Sequence, residues 1–145
     1  MSNNTIKFEI VTPERVVLKE QITQLSVPTV QGEITVLPDH IPLVSILAPG
    51  VLEARLPNGG VEVMSVSGGF IHVLKDKVVI LADTAERAQE IDIDRAEEAR
   101  KRAEETKSSA KRFDREQFTD VAAKIAKELA RTRAANRWRR IKEVK

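Results

Sequence analysis

Two groups of side chains in this chain have the types and spacing to do chemistry. The first is Asp92, three residues ahead of Arg95, inside Ile91-Asp92-Ile93-Asp94-Arg95-Ala96. The plain reading is a helix cap with a surface ion pair, worth under about 1 kcal/mol. The sharper reading has Asp92 accepting a hydrogen bond from a base while Arg95 and further arginines hold phosphates. The second group is the tail, where Arg131, Arg133, Arg137, Arg139, Arg140, Lys142 and Lys145 face Glu143 alone. Arg137, Arg139 and Arg140 have almost no acidic neighbours one helical turn away, so their mutual repulsion is unrelieved. Guanidinium groups in that state suit recognition of carboxylate or phosphate.

Other candidates carry less. Asp39-His40 has no nucleophile or second carboxylate at a telling distance, so a small enzyme built on this pair has nothing beyond adjacency behind it. His40 reads as packed or hydrogen-bonded in an apolar loop, and His72, alternating with Ile71 and Val73, as a surface residue. Gly68-Gly69 lacks the lysine and hydroxyl of a Walker loop and reads as a turn. With no cysteine, disulfides and thiolate metal sites are excluded, and the two distant histidines cannot form a histidine-based metal site without carboxylate help.

The elements that must position these groups divide at Thr84–Arg102. All six glycines and all six prolines precede that junction, the last being Gly69 and Pro57. Turns and strands are therefore expected before it and unbroken helix after it. Residues 1–85 hold six basic and nine acidic side chains; residues 86–145 hold eighteen and thirteen. The overall charge of +2 thus hides an acidic first part and a basic second part, which favours an acidic partner. No apolar run approaches the roughly 20 residues that span a bilayer, so a soluble, cytosolic chain able to dock on a membrane complex is expected.

Ile6, Phe8 and Ile10 alternate onto one face of a strand. Short strands follow at Val16–Leu18, Ile22–Val27 and Ile34–Leu37, with Gly32 in a turn. Pro57-Asn58-Gly59-Gly60 and Lys75-Asp76-Lys77 mark two hairpins. This spacing argues for an antiparallel sandwich or flattened barrel. From Asp92 the period becomes helical, with Asp92 or Asp94 as cap. Ala96, Ala99 and Ala103 line one helix; Phe118, Val121, Ile125, Leu129 and Trp138 line a second, which Asp114 is placed to cap. A seam this thin cannot by itself hold some fifty residues. The hairpin is expected to dock on something and to leave it.

Taken together, the stretches Val11-Thr12-Pro13, Gly32-Glu33, Leu37-Pro38-Asp39-His40-Ile41-Pro42-Leu43-Val44, Val66-Ser67-Gly68-Gly69-Phe70 and Leu81-Ala82-Asp83-Thr84-Ala85-Glu86-Arg87 resemble the epsilon subunits of F-type ATP synthases, of the bacterial or chloroplast (CF1) type. The resemblance covers nearly the whole chain. It implies an all-β sandwich of about ten short strands over residues 1–85, a hinge at 86–91 and an antiparallel helical hairpin over 92–145. It implies a non-catalytic rotor subunit that couples proton translocation to ATP synthesis and is peripheral to the cytoplasmic face of a plasma or thylakoid membrane. The implied partners are the gamma subunit, the c-ring and the alpha/beta catalytic head. Gly32 and Glu33 would face the ring, and His40, Ile41, Pro42, Leu43 and Val44 would lie towards gamma and the ring. An extended hairpin would block ATP hydrolysis through Arg131, Arg133, Arg137, Arg139 and Arg140.

Family members that bind regulatory ATP do so through an Ile/Leu-Asp-x-x-Arg-Ala motif. Carried over, Glu86, Ile91, Asp92, Arg95, Ala96, Arg102, Arg133 and Arg137 would form that site; no other cofactor and no metal is implied. The alternative is a basic helical module for nucleic acid on a β domain. The acidic residues through Glu86–Glu105 and an aromatic content of 3% count against it.

Overall fold

The computed structural model describes residues 4–109 and 115–143. Phe113 and Asp114, expected near the bend of the hairpin, lie outside them. Eight strands precede two helices: β1 (Ile6–Val11), β2 (Val16–Ile22), β3 (Gln24–Thr29), β4 (Gly32–Val36), β5 (Leu43–Ile46), β6 (Gly50–Arg55), β7 (Val61–Val73), β8 (Lys77–Arg87), α1 (Ile93–Ser109) and α2 (Arg115–Glu143). A single 3-10 turn, Ala88–Glu90, joins β8 to α1. The sheet thus runs two residues past position 85, into the segment read as a hinge.

The strands form one hydrogen-bonded sheet, ordered β2-β1-β8-β7-β6-β3-β4 with β5 on β7. It becomes a sandwich because β7 and β8 each belong to both layers. The first part of β7 pairs with β6 and the second with β5. The side chains change face at the crossing: Met64 and Val66 enter the core before it, Ile71 and Val73 after it. β8 does the same between Ala82 and Ala85. Gly68 (φ 67°) and Gly69 (φ 101°) make the crossing. A side chain on Gly69 would run into the Leu81 carbonyl, and one on Gly68 into the Asp83 carboxylate.

Ser67-Gly68-Gly69 is therefore not a turn. It bends one thirteen-residue strand, so two of the strands expected from the sequence are one, and eight strands stand where about ten are expected. The pairing of β1 with β8 is parallel, an exception in an otherwise antiparallel sheet. The hairpins fall at Pro57–Gly60 and Lys75–Lys77, as expected. Asn58 Oδ1 accepts from the Gly60 amide at 2.8 Å, and the Leu74 amide donates to Lys77 at 2.7 Å.

Ile6, Phe8, Ile10, Ile22, Leu25, Leu52, Met64, Ile71 and Ile80 fill the core between the layers. A second, smaller apolar cluster lies outside it. There Val63, Ala88, Ile91, Ala134 and Ala135 pack together with Val51, Val61, Ile93, Trp138 and Ile141. This cluster seats α2 on the outer face of β6 and β7, so the hairpin is folded against the sandwich.

Asp92 is the α1 cap: its Oδ1 accepts the Arg95 amide at 3.2 Å and its carbonyl accepts the Ala96 amide. Asp94 stands inside the first turn. The seam of α2 differs from the expected one. Phe118 is exposed, Val121, Ile125 and Leu129 are half-buried, and the buried apolar positions are Ala130, Ala134 and Ala135. Alanine lets the helix sit close to the sheet, but each methyl contributes only about 0.8 kcal/mol.

Candidate functional site

The face between α2 and the sheet holds the charged groups that the sequence singles out, in an arrangement that sequence order hides. β7 runs under the helix, with Val63 and Ser65 pointing outward beneath it, both buried. Glu53 on β6 stands opposite Val63, and Glu86 on β8 stands opposite Ser65. The covered strip of β7 therefore has one carboxylate on each side.

Arg131 reaches the first of them. Its Nε donates to Glu86 Oε2 at 2.6 Å and its Nη2 to Glu86 Oε1 at 3.3 Å. Its Nη1 donates to Glu128 Oε2 at 2.8 Å, so all three nitrogens of the guanidinium are engaged. The Glu128 side chain is only 7% exposed. Burial, the largest single influence, pushes the Arg131 pKa down. The hydrogen bond that Arg131 donates to Glu128 and the charges of Glu86 and Glu128 together outweigh it and leave the pKa raised. Arg131 is thus a permanent cation. Arg137 reaches the other carboxylate, with Nε donating to Glu53 Oε1 at 2.8 Å.

Of the residues expected to take nucleotide, Glu86 and Arg137 are thus occupied by protein partners. Ile91 and Ala96 are buried, Ile91 in the cluster under α2. Asp92 serves as the cap. Arg102 lies 4.0 Å from Glu98 and lines an open crevice of about 270 Å³ with Ala99, Ala103, Thr106, Val121 and Lys124. Arg95 and Arg133 are exposed and have no ion-pair partner among the described residues. Among those same residues no cluster of histidine, aspartate or glutamate could hold a metal ion.

The residues expected to meet partners lie elsewhere. Gly32 (φ 116°) and Glu33 open β4 and are exposed. His40 is half-buried, its Nδ1 2.7 Å from the Ile41 carbonyl oxygen. Ile41 is 75% and Val44 65% exposed; Pro42 is exposed and Leu43 packs on the core. Arg139 and Arg140 are exposed, whereas Arg131 is held within the chain.

One feature was missed from the sequence. Ile46 pairs with Phe70, Phe70 with Leu81, Leu81 with Val11 and Val11 with Val16. These five apolar residues make a row across β5, β7, β8, β1 and β2. Ile46, Phe70, Leu81 and Val16 are each more than half exposed. Val11, in the middle of the row, is half-buried.

A family model described as "ATP synthase, Delta/Epsilon chain, beta-sandwich domain" matches residues 5–88. The ATP synthase epsilon chain of Herpetosiphon aurantiacus is 47% identical over 129 residues, 88% of this chain and 90% of that one. The chain belongs to the ATP synthase epsilon-chain family. The epsilon chain of Chloroflexus aggregans is likewise 47% identical, over 130 residues, 90% of this chain and 91% of its own.

The fold is also similar to a chain in the Euglena gracilis mitochondrial ATP synthase, seen in a complex of OSCP, F1 and c-ring. There the TM-score is 0.78 at 26% identity, covering 90% of this chain and 81% of that one. A chain in the central stalk and c-ring of the Tetrahymena thermophila enzyme matches with a TM-score of 0.64 at 13% identity, covering 93% and 99%, and shares the fold.

Proposed function

We propose that the chain is a non-catalytic rotor subunit in the central stalk of a proton-translocating F-type ATP synthase, with the hairpin as a movable brake on ATP hydrolysis. The observation that carries this reading is the seating of α2. It rests on the sandwich through its own small, alanine-lined cluster, separate from the sandwich core. A helix pair held this way can leave the sheet without unfolding it. Released, it presents Arg133, Arg139 and Arg140, together with the freed Arg131 and Arg137, to an acidic surface of the alpha/beta head.

The exposed row of Ile46, Phe70, Leu81 and Val16, with Ile41 and Val44, supplies a docking face for the gamma subunit, while Gly32 and Glu33 turn to the c-ring. The setting of its structural neighbours in F1, c-ring and central-stalk complexes supports these partners. Attachment to the cytoplasmic face of a plasma or thylakoid membrane would come through the complex; no described helix is long and apolar enough to cross one. Regulatory ATP, held by Asp92, Arg95, Arg102 and Arg133 with Glu86 and Arg137, would favour the folded hairpin by its differential affinity for that state.

Removal of the hairpin tests the brake. The cut belongs after Glu90 rather than after Thr84, because Ala85 is part of the core and β8 pairs through Arg87. Residues 1–90 should join the enzyme and leave hydrolysis uninhibited. Inhibition equal to that of the full chain would reject the brake.

A further inference from the structure

The apolar contact under α2 is small, with Ala134, Ala135, Trp138 and Ile141 as its members on the helix. Two ion pairs flank it. Arg131 and Arg137 are six residues apart on α2, which at 100° per residue places them about 120° apart around the helix. Ala134, fully buried against the sheet, falls midway, about 60° from each. The two arginines therefore leave opposite sides of the docking face. One descends to Glu86 on β8, the other to Glu53 on β6, and the strip of β7 lies between.

We infer that these two ion pairs form an electrostatic latch that holds the hairpin down without any ligand. The inference rests on the hairpin-brake reading above and adds its regulation. Because Glu86 and Arg137 also belong to the expected nucleotide set, a nucleotide would take over latch groups rather than add to them. Glu128 strengthens the Arg131 arm. Its carboxylate is almost fully covered and accepts a hydrogen bond from Arg131, so the Arg131 side chain is pre-positioned over Glu86. Both arms lie at the edge of the contact, where Glu53 and Glu86 are 29% and 38% exposed. Salt therefore weakens them: at 1 M the screening length is about 3 Å.

The chain has no cysteine, so a single introduced thiol reports opening cleanly. Val63→Cys places it under α2, and Val66→Cys in the sandwich core as a reporter of global unfolding. Labelling of the free full-length subunit with a water-soluble disulfide reagent, without nucleotide, is then measured. Glu86→Gln and Arg131→Gln should each speed labelling of Val63→Cys by about three- to tenfold, and the double variant should be no faster than Arg131→Gln.

Potassium chloride at 1 M should speed the latched protein but not Glu53→Gln/Glu86→Gln. Labelling at Val66→Cys should not change. An unchanged rate at Val63→Cys in Glu53→Gln/Glu86→Gln overturns the latch. So does a rise at Val66→Cys that keeps step with the rise at Val63→Cys. The brake reading is judged separately, by hydrolysis in the assembled enzyme, so either can fail alone.

Discussion

Arg131 and Glu86, 45 residues apart, meet in a forked ion pair of 2.6 and 3.3 Å that ties α2 to the last paired turns of β8. Their pairing is not conspicuous in the sequence. Arg131 is one of several tail arginines, and Glu86 lies near the end of β8. Together they fix where the helix lies, and the consequences can be measured.

The strand crossing sets the stability of the sandwich. Gly69 combines positive φ with no room for a Cβ beside the Leu81 carbonyl. Gly69→Ala should cost about 2–4 kcal/mol, a fall in Tm of roughly 8 °C or more by thermal circular dichroism. Gly32→Ala, which keeps the φ strain but meets open space, should cost less.

The outer apolar row should matter for assembly and not for folding. Phe70 and Leu81 are 53% and 54% exposed. Phe70→Glu and Leu81→Glu should leave the melting temperature within a few degrees of the parent, since surface substitutions are usually within about ±0.5 kcal/mol. Co-purification with the rest of the complex should fall at least tenfold, as expected when a charge is buried unpaired at an interface.

Much of this architecture is legible in the chain. Alternation gives β1, the Pro57–Gly60 and Lys75–Lys77 signals give two hairpins, and the end of glycine and proline announces the helices. Asp92 is a readable cap. Three things are not readable, each because it depends on residues distant in sequence. Gly68-Gly69 looks like a turn until β8 is laid beside it. The apolar row joins five strands that share no local pattern. The α2 contact is chosen by distance to the sheet, which favours Ala134 and Ala135 over the larger Phe118, Val121, Ile125 and Leu129. Glu128, three residues before Arg131, did carry a local signal of pairing.

Nucleotide should bind only where free cations remain. Titration calorimetry with ATP and magnesium should show a Kd below 1 mM. Arg133→Ala and Arg95→Ala should each weaken it about tenfold or more, the loss expected for a charge-assisted hydrogen bond of about 1.5–3 kcal/mol. Absence of heat at millimolar ATP would remove nucleotide from the account and leave the latch untouched.

Ionic strength should act in the same direction as loss of the latch. Raising salt from 0.1 to 1 M should shift free hairpin towards the open state by a few-fold, since part-exposed pairs are screened. Fluorescence of the single tryptophan, Trp138, which packs in the docking cluster with the Lys142 ammonium 4.8 Å from its ring centroid, offers a label-free readout.

The most direct measurement pins the hairpin. Glu53 and Arg137, in contact at 2.8 Å, are replaced by cysteines and joined with a short bis-maleimide, the chain having no other thiol. The pinned subunit is reassembled into the enzyme and ATP hydrolysis is recorded beside an unjoined control. Uninhibited turnover with the pinned hairpin and inhibited turnover with the free one is the predicted result. Equal turnover in the two would contradict the claim that the hairpin must leave the sandwich to stop the motor.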